Sequence, residues 1–298
     1  MSASRRNASF QPARGKFGLT LASPWVATLL LFWLFPLVYS LYLSFTDFHL
    51  LRQTTLWVGL ENYTRLLGDP DFLDALKNTL IFTIGTIPLT QMIAIALALL
   101  VNRYFPGRGV FRSAFFVPSI TSMVVVALVF SNLYSRGGYI MSLASLLGLS
   151  PPENGLLLDS STALYSIMAM DIWMASGYYM LLALAGLKAI PSELYEAATI
   201  NGAGRIRQFF SVTLPLLRPM ILFSLVINGV KSLQVFVEIF VMTSGKYDTS
   251  TGVYYVYESG LRRFTFGEAS AAAYILFLII AALSVIQFTA FRDRPAPA

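Results

Sequence analysis

The chain has 298 residues, of which 56% are hydrophobic and only 12% are charged. A soluble domain carries about 25% charged residues, so the composition excludes an ordinary globular fold and predicts a membrane protein. The absence of cysteine excludes disulfides, thiolate chemistry and cysteine-based metal sites. The net charge of +6 does not indicate nucleic-acid binding, because the cations cluster in short segments between apolar runs.

Six apolar runs are long enough to cross a bilayer, which takes about 20 residues. They predict an all-α protein with membrane spans at 19–45, 78–101, 114–134, 162–187, 219–241 and 271–291. The first run exceeds the length of a signal-peptide core and no small-residue cleavage site follows it, so we interpret it as a retained span, kinked at Pro36. The polar residues 1–18 and 292–298 are predicted to be tails, with 19–291 as one domain.

The distribution of Lys and Arg predicts the orientation. Six spans place both termini on one side, where thirteen Lys and Arg residues lie, against seven on the other side and Lys231 within a span. Lys and Arg are retained on the cytoplasmic side of a membrane. We therefore expect both termini, and the segment 188–218 between spans four and five, to face the cytoplasm.

The segment between spans four and five contains signals for a short helix. Ser192 after Pro191 is a favourable N-cap, Glu193 suits the positive end of the helix dipole, and Asn201-Gly202 supplies a left-handed residue that ends a helix. These signals predict a helix of about nine residues, roughly 14 Å long. An isolated helix of this length is marginal in water, so we expect it to dock against a partner.

The same segment carries a pattern of residues: Glu196-Ala197-Ala198, Gly202-Ala203, Phe209, Leu214-Pro215 and Pro219. The pattern resembles the EAA loop of the permease subunits of binding-protein-dependent ABC importers. In that family the helix docks into a separate ATPase subunit and passes its motion to the spans. The resemblance assigns the docking contacts to Glu193, Glu196, Ala197, Ala198, Asn201 and Gly202. Asn201 stands where the family often has Asp, and the alternative is a loop helix that packs only on its own spans.

The resemblance implies several partners. These are a second, homologous permease subunit, two ATPase subunits and an extracytoplasmic binding protein, in the cytoplasmic membrane of a bacterium or archaeon. ATP and Mg²⁺ would be used by the ATPase, with no cofactor bound by this chain. Gly245-Lys246 lacks the upstream glycine of a phosphate-binding loop. We find no catalytic constellation and no metal-ligand cluster in the sequence, so we expect neither an enzyme nor a metal site.

The residues of the fourth span resemble the sugar-importer branch of this family. Residues 171–179 and 188–191 are similar to the sugar-holding subunit of maltose-type permeases. An ungapped alignment places the sugar contacts of that subunit at Asp171, Ala175 and Tyr178, which share one helix face. Asp171 replaces a neutral amide of the family pattern.

The fifth run contributes further polar residues: Asn228, Lys231, Ser232, Gln234 and Glu238. Four of them recur at helical spacing, which predicts one polar face. Ionisable groups inside a membrane are costly and indicate cavities or pathways. We therefore predict that all five bind substrate together with the contacts on the fourth span. The alternative is a buried ion pair, Lys231 with Asp171 or Glu238, that only stabilises packing.

Four aromatic residues could also stack on the apolar face of a sugar, although membrane aromatics more often serve packing: Trp173, Tyr178, Tyr179 and Phe236. The expected function is that of a permease subunit of an ATP-driven importer for a di- or oligosaccharide or a sugar-derived osmolyte. A polyol or glycerol-phosphate importer, with Lys231 as the anion partner, is an alternative. An ion-coupled secondary transporter is a further one, although such folds usually show internal repeats, and so is a membrane adaptor.

Overall fold

The computed structural model describes residues 13–52, 55–150 and 152–291. Over these ranges the chain is helical and contains isolated β-bridges but no strand. Its α-helices are α1 (Ala13–Leu29), α2 (Phe35–Ser44), α3 (Glu61–Gly68), α4 (Pro70–Asn102), α5 (Arg108–Ile120), α6 (Met123–Tyr134), α7 (Tyr139–Leu146), α8 (Ala163–Lys188), α9 (Ser192–Ile200), α10 (Arg205–Gln208), α11 (Leu214–Leu233), α12 (Val237–Met242), α13 (Gly252–Tyr257) and α14 (Phe266–Phe291).

The helix of the first span begins earlier than predicted, and a π-helical turn interrupts it after α1. Helix begins at Ala13, so the last part of the predicted tail 1–18 is helical, while residues 1–12 and the predicted tail 292–298 lie outside the described ranges. A π-helical turn, Leu30–Leu34, joins α1 to α2, and Leu21–Ser44 continues as one helix. The π-helical turn directly precedes the turn that carries Pro36, and both a proline and a π-helical turn are common causes of a kink.

Five described helices are long and apolar enough to cross a membrane, and a sixth span results if α5 and α6 are counted together. These two helices are bent by 97°, so the third predicted span, 114–134, is not one straight helix. Pro118 lies near the end of α5, and Thr121 after it has extended backbone. A proline lacks the amide that would bond to the carbonyl four residues earlier, so Pro118 weakens the last turns of α5, and the helix ends two residues later.

Helices α4 and α14 begin before the predicted spans two and six, and α8 agrees with the predicted span four to within one residue. Helix α4 begins at Pro70, where the Asp69 side chain accepts a hydrogen bond from the Asp71 amide. This N-cap satisfies an otherwise unpaired donor. Both α4 and α14 therefore begin with a turn or more of helix ahead of their predicted spans.

The segment before the fifth span is shorter than the predicted 188–218. Helix begins at Arg205 with α10 and continues through a π-helical turn, Phe209–Thr213, into α11. The predicted start of this span, residue 219, therefore lies inside a helix that begins earlier. Pro215 and Pro219 both lie within this continuous helix, and the π-helical turn directly precedes α11.

The fifth span is also interrupted. Residues 234–236 separate α11 from α12 and are not helical. The helical spacing inferred for residues 228–238 consequently does not define one face, which corrects that prediction. Thr251 Oγ1 donates to the Val235 carbonyl at 3.0 Å. The Val235 carbonyl, which lies in the non-helical break, thus has a hydrogen-bond donor from a residue sixteen positions later in the sequence.

The centre of the bundle is formed by α4, α8 and α11. Ala98 of α4, Met180 of α8 and Leu217 of α11 are fully buried in one apolar cluster near the end that carries α9. Polar groups are buried in the same interface, where Ser224 Oγ donates to Gln91 Oε1 at 2.9 Å. A satisfied hydrogen bond of this kind holds the two helices in register.

Asn62 joins α3 to the end of the first span. Its Nδ2 donates to the carbonyl oxygens of Ser44 and Thr46, both at 2.9 Å, and all three residues are buried. We expect Asn62→Ala to lower the free energy of unfolding by about 2 kcal/mol, because each buried group left unpaired costs about 1–3 kcal/mol. Thermal unfolding of the purified protein measures the change. Asn132→Ala is the control, since its exposed amide bonds only within its own helix, and equal melting temperatures for the two variants would contradict the prediction.

Candidate functional site

A cavity of about 330 Å³ lies between α5, α8, α11 and α12. Its lining contains all eight residues that the sequence predicts as substrate contacts: Asp171, Ala175, Tyr178, Asn228, Lys231, Ser232, Gln234 and Glu238. Helix α11 ends before Glu238, which lies on α12. The residues of both helices still line one cavity, because the non-helical residues 234–236 between them also form part of its wall. That these residues bind substrate stays a prediction.

Two of the other aromatic candidates, Tyr179 and Phe236, also line the cavity. Trp173 does not, and it packs against Phe130 with ring centroids 5.3 Å apart. The remaining lining residues are ones that sequence reasoning did not name: Phe82, Ser119, Met123, Met174, Val235 and Val237. Ser119 and Met123 flank the α5–α6 bend, whose angle is not readable from hydropathy.

Tyr178 is held in place by α5. Ser119 Oγ donates to the Met174 carbonyl at 2.6 Å and accepts from the Tyr178 amide at 3.0 Å. An α-helix joins these two backbone groups to each other, so the hydroxyl bridges the α8 ladder at the turn that carries Tyr178. Gly177 permits this approach, because a Cβ there would lie 1.9 Å from the Phe115 carbonyl oxygen.

Lys231 does not form the ion pair considered from the sequence. No oxygen of Asp171 or Glu238 lies within 4.0 Å of its Nζ. The Nζ lies instead over the Tyr178 ring, 5.4 Å from the centroid. A cation within about 6 Å of a ring is attracted by the negative face of the π system, so Tyr178 orients the ammonium group on the wall of the cavity.

Two lining residues carry a buried polar atom with no hydrogen-bond partner in the part of the chain described: the Tyr179 hydroxyl and Asn228 Nδ2. Both residues are at most 3% exposed. A buried polar group without a partner costs about 1–3 kcal/mol, so a small shift that gave either atom a partner would stabilise the protein. Carboxylate acceptors, amide and ammonium donors, and aromatic faces together suit a molecule with many hydroxyl groups.

The residues predicted to dock against an ATPase lie on α9 and in the turn after it. The helix has nine residues, the length expected from its sequence. Ser192 is not its N-cap, however, since Pro191 occupies that position and no side chain caps the helix. The proline has a fixed φ near that of a helix, and its carbonyl accepts from the Leu194 amide at 3.3 Å. Gly202 has a φ of +74°, the left-handed residue predicted to end α9.

Most of the surface of α9 is exposed. None of its residues is buried, and those predicted to dock are exposed, with Ala198 half-buried. Two side-chain bonds tie the helix to the segment that leads into α11: Tyr195 with Thr213 at 3.0 Å and Gln208 with Thr199 at 2.9 Å. Helix α9 therefore contacts the segment that leads into α11, and its other sides are exposed. This exposure disfavours the alternative that α9 packs only on the spans of its own chain.

Membrane-crossing helices that enclose a polar cavity, together with an exposed short helix between two of them, define a membrane transport protein. Residues 91–294 match the family described as the binding-protein-dependent transport system inner membrane component. The lactose transport system permease protein LacF of Rhizobium radiobacter is 32% identical over 287 residues, which cover 93% of this chain and 94% of that protein. The chain belongs to this family of multi-pass membrane permeases, and it is a transport subunit rather than an enzyme.

Two solved structures share the fold. A bacterial ABC transporter involved in the import of the acidic polysaccharide alginate has a TM-score of 0.83 at 23% identity, covering 95% of this chain and 98% of that one. A bacterial alginate ABC transporter in complex with an alginate pentasaccharide-bound periplasmic protein has a TM-score of 0.81 at 24% identity, covering 94% and 95%. The fold is that of an ABC importer permease, which confirms the resemblance stated from the sequence. The polyol, glycerol-phosphate and ion-coupled alternatives are not favoured.

Proposed function

We propose that the chain is the permease subunit of an ATP-driven importer for a sugar, either a di- or oligosaccharide or a sugar-derived osmolyte. The observation that carries this proposal is the cavity, where donors, acceptors and aromatic faces from α8, α11 and α12 surround one space. Similarity to a lactose permease supports a sugar as the substrate. The eight predicted contacts, Asp171 to Glu238, are the side chains to which we assign sugar binding.

We propose that a second, homologous permease subunit completes the path. Lys231, Gln234 and Tyr178 line the cavity and are nevertheless exposed in this chain alone. A cavity that binds a ligand buries most of the ligand surface, so another wall is needed on the open side. An extracytoplasmic binding protein would deliver the sugar, as in the complex of the alginate transporter, which contains a periplasmic protein.

We propose that α9 couples the chain to two ATPase subunits in the cytoplasm, where both termini would also lie. The ATPase subunits would use ATP and Mg²⁺, and this chain would bind no cofactor. Docking would involve Glu193, Glu196, Ala197, Ala198, Asn201 and Gly202. The bond of Tyr195 to Thr213 connects α9 to the start of α11, and α11 carries Lys231 into the cavity. A displacement of α9 would thus reach the cavity along one continuous helix and open it alternately to each side.

Uptake tests the assignment of the cavity. We expect Lys231→Met and Asp171→Asn each to reduce sugar uptake about tenfold or more, since a hydrogen bond to a charged group contributes about 1.5–3 kcal/mol. Uptake of labelled lactose into proteoliposomes measures the effect, and copurification of the ATPase measures assembly. The controls are Lys77→Met and Asp74→Asn, because both residues are exposed on α4 outside the cavity. Unchanged uptake in both cavity variants would assign the two residues to packing alone.

A further inference from the structure

The cavity holds more carboxyl groups than cations. Asp171 and Glu238 contribute two carboxyl groups to its lining, and Lys231 contributes the one ammonium group found there among the described residues. Glu238 is only 8% exposed. The ammonium lies over the Tyr178 ring and has no carboxyl oxygen within 4.0 Å. Lys231 therefore neutralises neither carboxyl group by direct contact.

From this imbalance we propose that the cavity accepts neutral and amine-bearing sugars and excludes acidic sugars. The inference rests on the proposed function, because it names the substrate class of the same site. An acidic sugar would bring its carboxylate near Asp171 and Glu238 and find a single cation, whereas an amine would find two acceptors. The proposed substrates differ from alginate, the acidic polysaccharide that the structurally similar importer takes up. The likeness of that importer to this chain extends to the fold alone.

The expected discrimination follows from Coulomb's law. For charges about 6 Å apart at an effective dielectric constant of about 20, one net unit of charge changes affinity roughly 100-fold. A ligand carboxylate is disfavoured by about that factor relative to a neutral sugar of the same shape, and a ligand ammonium is favoured. Removing one carboxyl group, as in Asp171→Asn, should bring the affinities of acidic, neutral and amine-bearing ligands closer together.

The charge of the cavity can be measured without knowing the substrate. This chain contains no cysteine, so an introduced thiol is the one thiol of this subunit, and its modification is followed on this subunit by mass spectrometry. Ala175→Cys and, separately, Gln234→Cys place a single thiol in the lining, and Ser142→Cys places one on the exposed surface of α7. The assembled transporter is treated with cationic and anionic methanethiosulfonate reagents of matched size. We expect the ratio of cationic to anionic reaction rates to be at least tenfold higher in the lining than at position 142. An equal or inverted ratio at both lining positions would overturn the proposal.

Sugar selection is then measured by saturation-transfer NMR on the assembled transporter in nanodiscs. Glucosamine, glucose and glucuronate serve as probes, since they differ in charge at similar size. We expect binding of glucosamine and glucose, no binding of glucuronate, and recovery of glucuronate binding in the double variant Asp171→Asn/Glu238→Gln. Glucuronate binding equal to that of glucose in the unsubstituted protein would overturn the proposal. Binding of neither lactose nor any of the three probes, together with a high labelling ratio, would contradict the sugar-import function while supporting the charge selection.

Discussion

Replacing Gly177 with alanine is expected to lower the free energy of unfolding by about 3 kcal/mol, the upper range for overpacking in a filled core. The added Cβ would lie 1.9 Å from the carbonyl oxygen and 2.7 Å from the carbonyl carbon of Phe115. Both atoms belong to the backbone of α5, so relief requires that α5 move as a whole. That movement would also disrupt the bridge from Ser119 to Met174 and Tyr178, and sugar uptake should fall with stability.

The matched control for this variant is Gly109→Ala. Gly109 also lies in α5, and a Cβ there would have no atom within 4 Å. Alanine in an open helical position stabilises by up to about 1 kcal/mol relative to glycine. Thermal unfolding of the purified transporter should therefore separate the two variants by several degrees. Equal melting temperatures for Gly177→Ala and the unsubstituted protein would contradict the close contact between α5 and α8.

Replacing Gly202 with valine is expected to reduce ATP-driven uptake roughly tenfold. Gly202 has a φ of +74°, and a residue with a Cβ pays about 1–2 kcal/mol in that region. A Cβ there meets no atom within 4 Å, so the effect acts through the backbone turn that ends α9. A changed turn would misplace the surface that we propose docks into the ATPase, while cavity and spans stay intact.

Gly204→Val is the control for the turn. Gly204 is two residues further on, has an extended backbone with a φ of −69°, and likewise has open space around its Cβ position. Uptake, ATP hydrolysis and copurification of the ATPase are compared for the two variants. We expect uptake to fall only for Gly202→Val, with either loss of the ATPase or hydrolysis that no longer depends on sugar. Full uptake by Gly202→Val would refute the role of this turn in coupling.

Local patterns were sufficient to predict several features. The length of an apolar run specifies a membrane helix, and the structure has α8 within a residue of its predicted ends. The signals around Pro191 and Gly202 predicted a nine-residue helix, and α9 has that length. The i, i+4, i+7 spacing of Asp171, Ala175 and Tyr178 placed them on one face, and all three line the cavity. Each of these features depends on residues within a few turns of one another.

Other features of the site could not be predicted from periodicity. Ser119 reaches the cavity because α5 ends after Pro118 and turns by 97° into α6, an angle that hydropathy does not encode. The break at 234–236 is compensated by a bond from Thr251, which lies on a later segment. The polar residues among 228–238 do not share the one continuous helix face that their spacing predicts. They nevertheless line the same cavity.

The chemistry of the cavity was thus present in the amino-acid sequence, in the polar and aromatic side chains of two membrane spans. Tertiary contacts decided how that chemistry is arranged. Lys231 lies over Tyr178 rather than against a carboxyl group. Ser119 of the neighbouring α5 bonds the backbone amide of Tyr178, and Gly177 of α8 lets α5 approach that turn. The length of α9 and the glycine that ends it follow from neighbours in sequence, whereas the partner of a charge in a membrane depends on which helices pack together.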